Sequence, residues 1–138
     1  MKTDKNLEWK EEYSVGVQLI DEQHKMIFAT INELVDMINT TPTKEKLAFV
    51  IGQLVAYKKF HFATEEKYFV EFHYEGTEEH IAKHKMFNDT LEKVQEECGD
   101  DMLTLAFRLV DFLEDWLIDH LMTVDQEYKV CFAEHGLK

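Results

Sequence analysis

Two pairs of metal-competent side chains stand out along the chain. His61-Phe-Ala-Thr-Glu65 and His80-Ile-Ala-Lys-His84 each carry donors four residues apart, a spacing that stacks two side chains on one face of an α-helix. Each pair can therefore offer two lone pairs in a single direction. Gly76 lies between the pairs and suits a turn. Two antiparallel helices folded back there would gather His61, Glu65, His80 and His84 in one place. The chemistry open to such a group is cation coordination, because imidazole and carboxylate both bind divalent metals.

The elements that would position these residues follow from hydrophobic periodicity. Residues 1–17 lack a clear period, and Trp9, Tyr13 and Val15 read as apolar beads on an extended arm laid over the domain. In the first helix Ile20, Ile27, Ile31, Leu34 and Ile38 form a stripe of threes and fours, and His24 falls on it. Asn39-Thr40-Thr41-Pro42 ends that helix, with Thr41 expected to cap the next and Pro42 to be its first residue. The second helix, about 42–72, places Leu47, Val50, Leu54, Tyr57, His61, Glu65, Tyr68 and Phe72 on one face. The third, about 77–97, carries His80, His84, Phe87, Leu91 and Val94 and stops at Gly99-Asp100-Asp101. The fourth opens there with Leu103, Ala106, Leu109, Leu113, Trp116 and His120, and a short piece over about 124–133 follows.

Composition narrows the alternatives. A length of 138 residues suits one domain, residues 1–138, with the bundle over 18–133. One proline and five glycines leave little room for a turn-rich β fold. The expected class is all-α: an up-down-up-down four-helix bundle with an N-terminal arm and a short C-terminal helix. A net charge of −13 repels phosphate backbones and anionic membrane faces, so neither nucleic acid nor membrane is an expected partner. No apolar run approaches the roughly 20 residues that cross a bilayer, and the charged stretch Met1 to Lys10 lacks the apolar core of a secretion signal. Cys98 and Cys131, without CxxC spacing, fit a reducing cytoplasm.

Alternating topology decides where the histidines meet. His24 comes early in the first helix, His61 and Glu65 late in the second, His80 and His84 early in the third, and His120 late in the fourth. All of these positions are at the same end of the bundle. Asp125 follows His120 by five, roughly 140° round a regular helix, so a break or bulge near Leu121–Val124 is expected to turn it inward. A single histidine on an apolar stripe is ordinarily a hydrogen-bonded core residue. Five histidines and two carboxylates in one layer would cost several kcal/mol each if buried without partners, and cations remove that cost. His73 and His135 lie off the stripes at element ends and are expected on the surface.

The chain contains neither the His-Glu-x-x-His of catalytic zinc helices nor the Glu-x-x-His of ferritin-like di-iron bundles. Five imidazoles and two carboxylates suit two octahedral mid-row metals bridged by the carboxylates, with iron the best match by ligand type.

His24 in Asp21-Glu22-Gln23-His24-Lys25, His61-xxx-Glu65, His80-xxx-His84 and His120-xxxx-Asp125 resemble the ligand pattern of the hemerythrins. The opening Tyr13-Ser-Val-Gly-Val-Gln-Leu-Ile-Asp-Glu-Gln-His-Lys25 resembles the prokaryotic branch, the bacteriohemerythrins. The likeness runs from Trp9 to about Tyr128 and implies two non-heme irons with an oxo or hydroxo bridge. His80, His84 and His120 would hold one iron, His24 and His61 the other, with Glu65 and Asp125 bridging. The two-histidine iron would then be five-coordinate and would take O₂ as a (hydro)peroxide. The resemblance also puts Ile27, Phe62, Trp116 and Leu117 around the O₂ pocket.

The expected function is reversible O₂ binding for storage, transport or delivery, with an O₂-consuming enzyme as a possible recipient. An O₂- or redox-sensing module is a second reading, weakened because no signalling or membrane domain follows the fold. A third is a di-iron oxidase or peroxidase, or a nitric-oxide or iron-handling protein. The ligand set has few carboxylates to stabilise high-valent iron, which disfavours the enzyme.

Overall fold

The structure, a computed structural model, describes residues 7–138. Its helices are α1 (Gln18–Asn39), α2 (Lys44–Tyr57), α3 (Ala63–Glu71), α4 (Thr77–Cys98), α5 (Met102–Trp116) and α6 (Lys129–Glu134). A π-helical segment, Lys58–Phe62, joins α2 to α3 without a break. A longer one, Leu117–Val124, followed by a 3₁₀ stretch, Asp125–Tyr128, joins α5 to α6. The described chain is thus four rods, 18–39, 44–71, 77–98 and 102–134. α1 packs on α2 and α5, α3 on α4, and α4 on α5, which is the ring of neighbours expected of an up-down-up-down bundle.

The amphipathic stripes do the packing. Ile27, Ile31 and Leu34 of α1, Val50 and Leu54 of α2, Phe87 and Leu91 of α4, and Leu109 and Leu113 of α5 meet in one apolar cluster. A second cluster of Val15, Val17, Ile20, Phe69, Tyr128 and Phe132 closes the other side of the histidine layer. The histidines are therefore held between two dry regions. Among the described residues, no helix is long and apolar enough to cross a membrane.

Some expectations need correction, and others take a more specific form. Thr43, not Thr41, caps α2: its backbone is extended and its hydroxyl accepts from the Lys46 N–H, so Pro42 stays outside the helix. Phe69 is buried where Tyr68 and Phe72 were expected, because the π turn at Lys58–Phe62 rotates everything beyond it. The departure expected near Leu121–Val124 is present, as a bulge and not a break. The helix widens from Leu117 onward, and the Thr123 hydroxyl donates to the Ile118 carbonyl five residues back at 3.0 Å. Finally, the short C-terminal helix is present as α6, Lys129–Glu134, and continues the fourth rod.

The described part of the arm does lie on the bundle; residues 1–6 of the expected arm fall outside the described residues. Trp9 meets Phe28 edge-on at 5.7 Å and Tyr13 stacks on it. Leu7 exchanges two hydrogen bonds with the Asn32 amide. Gly16, at φ +80, makes the turn into α1 that other residues rarely adopt. Asp21 then accepts from the Ser14 hydroxyl at 2.5 Å and the Val15 N–H at 2.9 Å. At the turn before α4, a Cβ on Gly76 would lie 2.9 Å from the Tyr74 ring.

Candidate metal centre

All seven sequence-predicted donors are buried together. His24 comes from α1, His61 from the π segment after α2, Glu65 from α3, His80 and His84 from α4, and His120 and Asp125 from the end of the fourth rod. The two π segments explain the aim of their residues. An i→i+5 turn is wider than an α turn, so a residue five positions on falls nearer the same face. Asp125 thereby brings Oδ1 to 3.0 Å from His120 Nε2.

Every histidine presents Nε2 to the interior of this layer. Glu65 Oε1 lies 3.2 Å from His61 Nε2, 3.1 Å from His84 Nε2 and 3.7 Å from His80 Nε2. Its Oε2 is 3.9 Å from His24 Nε2. Asp125 Oδ1 is 2.9 Å from His80 Nε2, while its Oδ2 is 3.1 Å from His24 Nε2. The donors fall into two groups, Glu65 with His80, His84 and His120, and His24 with His61, Glu65 and Asp125. Within each group the donor atoms lie within 4.8 Å of one another. Glu65 belongs to both, and Asp125 reaches toward both with its two oxygens.

This arrangement suits cations. Nε2 of His80, His84 and His120, Oε1 of Glu65 and both oxygens of Asp125 are buried without a hydrogen-bond partner. Leaving one such group unpaired costs about 1–3 kcal/mol, and a metal ion accepts their lone pairs directly. The donor set fits two transition-metal ions.

Electrostatics of the metal-free layer point the same way. Burial pushes the Glu65 carboxyl upward, but His61, His80 and His84 outweigh it and hold the group well below its usual range. Asp125 is likewise held low by His120 and His24 against burial and the nearby Glu65 charge. Burial lowers His61 and His120. For His80 burial is outweighed by the flanking Asp125 and Glu65, which raise it to about 9. The carboxylates thus remain anionic and available as ligands.

Three supporting residues escaped the sequence reading. Gln23 Oε1 accepts from His61 Nδ1 at 2.7 Å, and Glu66 Oε2 accepts from His84 Nδ1 at 2.7 Å. Both fix the tautomer that turns an Nε2 lone pair inward. Tyr128 donates its hydroxyl to Glu65 Oε2 at 2.5 Å. One signal was present: Gln23 and Glu66 adjoin His24 and Glu65, and the next residue on a helix faces the neighbouring helix. The four expected pocket residues, Ile27, Phe62, Trp116 and Leu117, are all buried in the main cluster. Phe62 stacks on His84 and Trp116 on His120, each at 3.8 Å between ring centres. His73 and His135 are on the surface, apart from the centre.

Comparison with known proteins agrees with the geometry. The family model described as the hemerythrin HHE cation binding domain matches residues 15–131. A bacteriohemerythrin of Clostridium acetobutylicum is 27% identical over 124 residues, 87% of this chain and 96% of that protein. A bacteriohemerythrin of Pseudomonas aeruginosa is 31% identical over 125 residues, covering 89% of this chain and 79% of that protein. A myohemerythrin of Theromyzon tessulatum is 29% identical over 122 residues, 88% of this chain and 90% of that protein. Four rods delivering this donor set, matched over most of their length, establish that the chain belongs to the hemerythrin family.

Proposed function

We propose that the chain binds O₂ reversibly at a non-heme di-iron centre and serves oxygen storage, transport or delivery. The observation that carries this reading is the convergence of seven buried donors in two groups that share Glu65. His80, His84 and His120 would hold one iron, and His24 and His61 the other, with Glu65 and Asp125 serving both. The chain then supplies five donors on one side and four on the other, so a small ligand has room on the His24 and His61 side. When bound, a ferrous pair supplies the two electrons that hold O₂ and recovers them on its release.

The surrounding residues suit holding over consuming. Ile27, Phe62, Trp116 and Leu117 are buried and apolar, so they exclude the water and protons that would drain the irons of electrons. The rings stacked on His84 and His120 restrain two ligands from turning. Tyr128 fixes Glu65. A cytoplasmic setting accords with the free thiols of Cys98 and Cys131, and an O₂-consuming enzyme is the natural recipient.

The test is to load the protein with two ferrous ions without air, admit O₂ and follow the visible spectrum. A ligand-to-iron charge-transfer band that vanishes under vacuum and returns with O₂ is the expected result. Prompt irreversible oxidation with continuing consumption of added reductant would instead assign an oxidase.

A further inference from the structure

The two hydrogen bonds behind the histidines differ in charge. Gln23, on α1, gives His61 a neutral amide oxygen, whereas Glu66, on α3, gives His84 a carboxylate. The amide is not free to reverse. Gln23 Nε2 donates to Thr64 Oγ1 at 3.3 Å, and that hydroxyl is committed to the Phe60 carbonyl at 2.7 Å. Thr64 can therefore only accept, Gln23 must present its oxygen, and His61 must donate from Nδ1. The three other histidines have no such partner at Nδ1. Each of the two donor groups thus contains one histidine that is buttressed from behind, and only one buttress carries charge.

We propose that Glu66 is a positioning residue that makes the three-histidine side electron-richer, so that its metal has the lower reduction potential of the two. The inference rests on the di-iron reading above. A carboxylate accepting the Nδ1 proton draws that proton toward itself and leaves Nε2 a stronger electron donor. Stronger donation favours the ferric over the ferrous ion. An amide oxygen accepts the same hydrogen bond without the charge and gives less. The Glu66 side chain is 34% exposed while His84 is buried, so the charge sits at the edge of the site, where its exchange disturbs little packing. The two irons are thereby distinguished by more than their ligand count, and the first electron withdrawn comes from the side of His80, His84 and His120.

The experiment is a spectroelectrochemical titration of the iron-loaded chain, an electrode with a mediator passing one electron to or from each iron in turn. Glu66→Gln keeps an acceptor for His84 and removes the charge. It is expected to raise the lower midpoint by about 59 mV or more, a tenfold change for one electron, with two irons per chain retained. Gln23→Glu is expected to lower the higher midpoint by a similar factor. Glu92→Gln, which removes an equal charge from the exposed face of α4, should move neither midpoint by as much as twofold in the equilibrium constant. The proposal is overturned if Glu66→Gln leaves the lower midpoint in place or shifts both midpoints equally. It is also overturned if Glu92→Gln has the same effect, or if Glu66→Gln releases iron and so marks Glu66 as a structural prop. Two irons and reversible O₂ binding in the unsubstituted chain, alongside any of those results, leave the functional reading standing. An unsubstituted chain that takes up fewer than two irons overturns both.

Discussion

Tyr128→Phe is the smallest change that reaches the centre. It deletes one oxygen and leaves Glu65 Oε2, buried and anionic, without its 2.5 Å donor. Loss of a buried partner costs about 1–3 kcal/mol. Urea unfolding of the metal-free variant should show that loss, and a chelator should strip its iron faster. The metal-free protein should also respond to alkali. His80 titrates near 9 in the fold against about 6.5 when unfolded, and His24 is raised in the same direction. Their stabilisation is complete below pH 6.5 and is lost as the pH climbs through 9. Glu65 and Asp125, held low, lose theirs only on the acid side. Melting temperature against pH should therefore fall between 6.5 and 9 for the metal-free chain, and hold steady once metal occupies the imidazoles. The convergence of the five histidines and Glu65 was legible in the sequence because polar residues on an apolar stripe break its pattern. Asp125 lay off its stripe and needed the bulge to join them. Tyr128, Gln23 and Glu66 were not legible, because their partners lie on other rods. Whether they meet depends on rotations that periodicity does not encode.

Among the elements, the π segments are where the sequence reading reached its limit. The five-residue step from His120 to Asp125 demanded a departure from regular helix, and that much was deducible. Its form was not: a widened run over Leu117–Val124 keeps the backbone bonded where a break would expose it, as the buried surroundings require. The segment at Lys58–Phe62 left no trace in the spacing. His61 and Glu65, four apart, look regular, and the rotation appears only downstream, in Phe69. The start of α2 offers a direct check on a different correction. Thr43→Ala should cost about 1 kcal/mol in unfolding free energy, the usual value of an N-cap, while Thr41→Ala should cost nothing measurable. Equal effects would return the cap to Thr41.

For the molecule as a whole, the centre and the core are one object. The seven candidate ligands arrive from all four rods, so a metal bound among them would link each rod to the others, and stripping it would loosen the bundle as well as the site. Trp116 lies flat on the His120 imidazole at 3.8 Å, while the chain's other tryptophan, Trp9, sits in the arm against Phe28. An indole so close to a candidate metal ligand would act as a built-in fluorescent gauge. In a Trp9→Phe background its emission should dim as iron is titrated in and brighten when a chelator takes it out. The protein would thereby report the filling of its three-histidine side in ordinary light, with no dye attached.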